Sequence, residues 1–159
     1  MLSCEFLGNS RGLLDQPYAV NILIVEDNRI DARLISHALK KIKEWTPSLL
    51  VIDDGEKAIR HFHENPAPDL VLLDLNLPGR DGTEVLGAIR AADQHKELPV
   101  FVLSSAPQFV GEDQIRKAKV SADAYFVKPF EIGTFFDIAR GIYDRFTELK
   151  MGSAGSPRT

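Results

Sequence analysis

The chain has 159 residues, with 19 Lys and Arg against 23 Asp and Glu and a formal net charge of −4, a length that suits one domain with a single core. Hydrophobic residues at 44% and charged residues at 26% exclude a wholly disordered or low-complexity chain, and the mildly acidic balance gives no general attraction to nucleic acid or anionic lipid. No apolar run approaches the roughly 20 residues of a membrane-spanning helix, and the one cysteine, Cys4, excludes an internal disulfide and a multi-cysteine metal site.

Residues 1–19 lack the basic start and unbroken apolar stretch of a secretory signal, because Glu5, Asn9, Arg11 and Asp15 interrupt them. They read as an N-terminal arm, with Leu13, Leu14 and Tyr18 able to dock on the body, and the cytoplasm is the expected location. From Val20 onward two periods alternate. Residues 20–25 are a strand-sized apolar burst, followed by Ile30, Leu34, Ile35, Ala38, Leu39 and Ile42 at the spacing of an amphipathic helix. Trp45 reads as a packing anchor at the start of the second strand, whose apolar burst is 49–52, and a helix is expected at 56–64. Bursts at 70–73, 99–103 and 124–127 then alternate with helical stripes at 83–92, 112–119 and 132–149. Nearly continuous, β-branched bursts predict strands buried on both faces. Strict alternation predicts an α/β fold, a doubly wound five-stranded parallel sheet over residues 20–149, because each right-handed crossover needs a covering helix. Residues 150–159, small and polar from Gly152 on, read as a flexible C-terminal tail.

In such a sheet, ligands bind beyond the carboxyl ends of the strands. The first strand ends in Glu26-Asp27, the third in Asp74, the fourth in Ser104-Ser105 and the fifth in Lys128-Pro129. Three carboxylates, a hydroxyl and an ammonium therefore converge on one edge. Clustered carboxylates repel one another and call for a cation or a proton, and hard oxygen donors without His or Cys favour Mg²⁺, with Mn²⁺ as the alternative. Asp53-Asp54-Gly55, after the second strand, reads as a turn and helix cap. His61 and His63 point to different faces of one helix, and His37 and His95 have no ligand-spaced partners.

Four motifs in this order, Val25-Glu26-Asp27-Asn28, Leu72-Leu73-Asp74-Leu75-Asn76-Leu77-Pro78-Gly79-Arg80-Asp81-Gly82, Leu103-Ser104-Ser105-Ala106 and Val127-Lys128-Pro129-Phe130, resemble the receiver domains of two-component response regulators. The likeness covers residues 21–146. Through Asp27-Asn28-Arg29-Ile30-Asp31-Ala32-Arg33-Leu34 and Asp74-Leu75-Asn76-Leu77-Pro78 it is greatest to stand-alone receivers that partner phytochrome-type histidine kinases. The resemblance implies a flavodoxin-like strand order 2-1-3-4-5 and a phosphoryl group passed from a kinase phosphohistidine to Asp74. It implies Mg²⁺ held by Asp27, Asp74 and the Asn76 backbone carbonyl, with Glu26 acting through water. Lys128 would pair with Asp74 and then with the phosphoryl group, across a cis Lys128–Pro129 bond. Ser104 would be the switch hydroxyl and Tyr125 the aromatic that turns inward with it. Gly82 reads as a turn before the third helix.

Two other functions fit less well. A phosphohydrolase with an Asp nucleophile usually has a second Asp two residues on, where this chain has Asn76, so acid–base help for outside substrates is missing. A pseudo-receiver, working as a phosphorylation-independent interaction module, generally loses site residues that this chain keeps. Only 13 residues follow Phe146 (159 − 146), so the expected output is protein contact, with no direct binding of nucleic acid or membrane. The apolar residues of the last helix span an arc of about 160°, wider than the roughly 100° needed to face a core. Ile138, Ile142 and Leu149 are expected at its exposed margin, and the resemblance implies a homodimer through the fourth helix, fifth strand and fifth helix.

Overall fold

Within the apolar burst at residues 20–25, broken only by the exposed Asn21, a period of two decides which layer each side chain serves. In the computed structural model, which describes residues 17–154, Val20, Ile22 and Ile24 join Leu70, Leu72, Phe101 and Leu103 in one core. Leu23 and Val25 join Val71, Leu73, Val100 and Val102 in a second. The expectations for residues 1–16 and 155–159 fall outside the described residues.

The strands are β1 (Tyr18–Val25), β2 (Trp45–Ile52), β3 (Leu70–Leu73), β4 (Val100–Ser104) and β5 (Ala124–Val127). They alternate with α1 (Arg29–Leu39), α2 (Gly55–Glu64), α3 (Gly82–Ala91), α4 (Gln108–Lys117) and α5 (Phe135–Ala154). All pairings are parallel, in the order β2-β1-β3-β4-β5, the flavodoxin-like arrangement. The first core lies under α1 and α5, which contribute Ile35, Leu39, Phe135, Ile142 and Phe146. The second lies under α2, α3 and α4, through Phe62, Val85, Leu86, Ile89 and Ile115. Of α4 only Gly111 and Ile115 are buried, and its N-cap, Pro107, offers no side-chain hydrogen bond.

Several expectations need correction. Only β1, β3 and β4 are flanked on both sides; β2 and β5 are edges, with Leu50 48% and Val51 43% exposed and β5 half-buried or exposed throughout. An outer strand has one neighbour, so an apolar run there does not imply burial. On α5, Ile142 is fully buried, and Ile138 and Leu149 pack against the first core. The arc is wide because α5 meets α1 and the sheet together and also holds Trp45, whose ring makes edge contacts with Tyr143 at 5.1 Å and Phe146 at 5.5 Å. The exposed apolar residues lie instead near its two ends, at Ile132 and Phe136 before and in the first turn and at Met151 near the last. β1 opens at Tyr18, inside the segment assigned to the arm, and α5 runs to Ala154, five residues into the segment assigned to the tail. Among the described residues, no helix is long and apolar enough to cross a membrane.

Candidate functional site

Strand register carries the chemistry to one edge. Val25 pairs with Leu73, so the residues that follow, Glu26 and Asp74, emerge side by side, and the Asp74 N–H donates to the Val25 carbonyl at 3.0 Å. Ser104 pairs with Val127, and the Lys128 N–H donates to the Ser104 carbonyl at 2.8 Å. Gly82 is not a turn residue: it opens α3, and a Cβ there would collide with the Asp74 carbonyl oxygen. Its missing side chain lets α3 begin directly behind Asp74. Asp54 caps α2, as the Asp53-Asp54-Gly55 reading expects, by accepting from the Lys57 N–H at 3.0 Å.

Lys128 is the hub. It is 8% exposed, beside Glu26 at 4% and Asp74 at 5%. Its Nζ donates to Asp74 Oδ2 at 2.7 Å and to Asp31 Oδ2 at 3.1 Å, and it also pairs with Glu26. The other oxygens of Asp74 and Glu26 are occupied too: Asp74 Oδ1 accepts from the Asn76 N–H and Glu26 Oε1 from the Asn28 N–H, both at 3.0 Å. The Lys128–Pro129 bond is trans, as is every peptide bond among the described residues, which corrects the cis expectation. Trans is the lower-energy isomer of an X-Pro bond by about 0.5–1 kcal/mol, and Lys128 reaches its carboxylates from it.

Burial pushes the Glu26 carboxyl up to about 7; the Lys128 bond opposes the shift and the Asp74 charge adds to it. For Lys128, burial acts to lower the pKa, but the bonds from Asp74 and Glu26 outweigh it and hold the ammonium above its ordinary range. One buried cation thus faces Glu26, Asp31 and Asp74, with Asp27 exposed beside them. Carboxylate oxygens of Glu26, Asp27 and Asp74 all lie within 4.8 Å of one another. An oxygen-only set with surplus negative charge fits a hard divalent cation. Asn76 is exposed and held next to Asp74 through its backbone N–H.

Ser104 is fully buried, and its Oγ accepts from the Ala106 N–H at 3.3 Å. The Tyr125 hydroxyl donates to the Ala106 carbonyl at 3.2 Å, and burial raises its pKa. Its ring lies against α4, where a Cβ on Gly111 would collide with it. The two switch candidates therefore share the Ala106 peptide. Sequence reasoning missed Asp31. It reads as an ordinary acid in the first turn of a helix, where a negative charge suits the dipole, and nothing in its spacing connects it with a lysine 97 residues away.

Residues 22–140 match the family model of the response regulator receiver domain. The response regulator Rcp1 of Synechocystis sp. is 33% identical over 127 residues, covering 76% of this chain and 84% of that protein. Among solved structures, the phosphorylated cyanobacterial phytochrome response regulator RcpA superposes with a TM-score of 0.70 at 31% identity, over 82% of this chain and 95% of that one. The Mn²⁺-bound form of Rcp1 superposes with a TM-score of 0.68 at 30% identity, over 79% and 92%.

Proposed function

Because the chain belongs to the response regulator receiver family, we propose that Asp74 accepts a phosphoryl group from the phosphohistidine of a sensor histidine kinase, and that the protein signals by changing its protein-binding face. The observation that carries this reading is the Asp74 carboxylate, buried at the end of β3, 2.7 Å from the Lys128 ammonium and grouped with Glu26 and Asp27. An Asp74 oxygen attacks phosphorus in line. The new O–P bond forms as the N–P bond breaks, and the imidazole leaves with the electron pair and takes up a proton. Lys128, freed from Asp74 as the acyl phosphate forms, pairs with a phosphoryl oxygen, and its compact point charge suits that exchange. Ser104 and Tyr125 rearrange around Ala106 to report the new charge.

Glu26, Asp27, Asp74 and the Asn76 carbonyl would hold Mg²⁺ or Mn²⁺. The Mn²⁺-bound Rcp1 structure supports this choice of metals. The ion would supply positive charge that screens the carboxylates from an incoming phosphoryl group. The likeness to RcpA, a phytochrome response regulator, supports a phytochrome-type kinase as donor. The protein assists only its own phosphorylation and dephosphorylation: Asn76 stands where an Asp-nucleophile phosphohydrolase would need an acid/base. Its setting in this reading is the cytoplasm, without nucleic acid or membrane as a direct partner.

The reading is tested by incubating the protein with Mg²⁺ and phosphoramidate and measuring intact mass. Uptake of one phosphoryl group is expected, and an unchanged mass overturns it. The binding face comprises α4, β5 and the segment leading into α5, where Phe109, Val127, Phe130 and Ile132 are exposed, and exposed apolar residues in number mark interfaces. A homodimer through this face gives a specific expectation. Light scattering shows association of the phosphorylated wild type at high concentration and its loss in Val127→Asp, at the exposed end of β5; a wild type that stays monomeric in both states rules the dimer out.

A further inference from the structure

We propose that Asp31 is a positioning residue that takes a share of the Lys128 ammonium and thereby lessens its hold on Glu26 and Asp74, the carboxylates for which a divalent cation competes. The inference rests on the reading of this edge as a cation site. It begins with a missing hydrogen bond. In α3 the third residue of the helix, Glu84, turns back to accept the N–H of its cap residue Asp81 at 3.0 Å, which closes a capping box. In α1 the same position is Asp31, but the N–H of the cap residue Asn28 is already taken by Glu26 Oε1. Asp31 is thereby released from local capping, and its carboxylate meets Lys128 instead, at 3.1 Å.

An ammonium has three N–H donors. Those of Lys128 face three carboxylates, Glu26, Asp31 and Asp74. Two of the three belong to the group whose oxygens lie within 4.8 Å of one another, so a cation and Lys128 compete for the same anions there. Asp31 alone stands outside that group. Removing its charge acts twice in the same direction. The site loses one negative charge, and Lys128, left with two anionic partners instead of three, gives its whole charge to Glu26 and Asp74. Both effects weaken cation binding, although Asp31 is no ligand, and at the separations of this site they amount together to on the order of tenfold in affinity.

The test is a Mn²⁺ titration of the full chain, followed by the electron paramagnetic resonance signal of the free ion. Asp31→Asn should bind Mn²⁺ about tenfold more weakly than wild type, and Asp31→Glu should recover most of the loss. Glu148→Gln, which makes the same change in net charge far along α5, should leave affinity unaltered. Repeating Asp31→Asn in a Lys128→Met background separates positioning from bare charge, because the loss should shrink at least about threefold once the lysine is gone. An equal loss in both backgrounds, or an Asp31→Asn protein that binds like wild type, overturns the positioning role while the cation reading stands. A wild type that binds no Mn²⁺ overturns the cation reading and this inference with it. Should Asp31→Asn fail to fold, Asp31→Glu and Asp31→Ser carry the same comparison.

Discussion

An Asp74→Asn protein takes up no phosphoryl group from phosphoramidate, while wild type takes up one. The amide keeps the shape of the side chain but has no anionic oxygen to attack phosphorus, so the loss is complete rather than partial. Folding survives, because Lys128 retains Glu26 and Asp31 as partners and because one of several mutually repelling charges has gone. Intact mass and thermal melting of the same sample separate the two effects. Labelling of the variant at the wild-type level would show that another residue is the acceptor and would sink the assignment of Asp74.

Without divalent cations, Glu26→Gln is expected to be more stable than wild type at about pH 8, by on the order of 3 kcal/mol, with the difference vanishing toward the ordinary carboxylate range. The sign follows from the proton count. Burial pushes the folded Glu26 carboxyl up to about 7, against an ordinary value of 4.5. Between those values the native state holds more protons than the unfolded chain, and wild-type stability falls as pH rises through that window. Above 7 the full cost of ionising a buried carboxylate is present. Glutamine resembles the protonated acid at every pH and carries no such slope. Lys128 does not confuse the comparison. Its raised pKa gives stability that is fully present below its ordinary value and is lost only at higher, strongly alkaline pH. Urea unfolding at several pH values in EDTA checks the result, and a Glu26→Gln protein less stable than wild type at pH 8 would refute it.

How far the sequence could be read depended on how many neighbours each segment has. β1, β3 and β4 have neighbours on both sides and announce themselves as nearly continuous apolar runs. β2 does not: Thr46, Pro47 and Ser48 look like a turn, yet they pair with Ala19, Val20 and Asn21, since an edge strand tolerates a residue without an N–H. The first turn of α4 was missed for a related reason. Phe109 and Val110 are exposed there, so no buried stripe marks the beginning of the helix. Strand order is not contained in periodicity at all and came through the family resemblance. In the site, the residues at strand ends were legible because topology alone brings strand ends together. Asp31 was not, because its partner is chosen by side-chain reach across the pocket.

The shallow seating of α4 has an energetic consequence. A helix held by two buried residues and lacking a side-chain cap opens at a small fraction of the free energy that unfolds the sheet beneath it, and elements that move during signalling are drawn from that low end. Amide hydrogens in residues 108–117 should therefore exchange with solvent through local openings while those of β1, β3 and β4 wait for global unfolding. In the proposed switch, rearranging the hydrogen bonds at Ala106 would then have to shift only this lightly held helix, leaving the cores on either side of the sheet undisturbed.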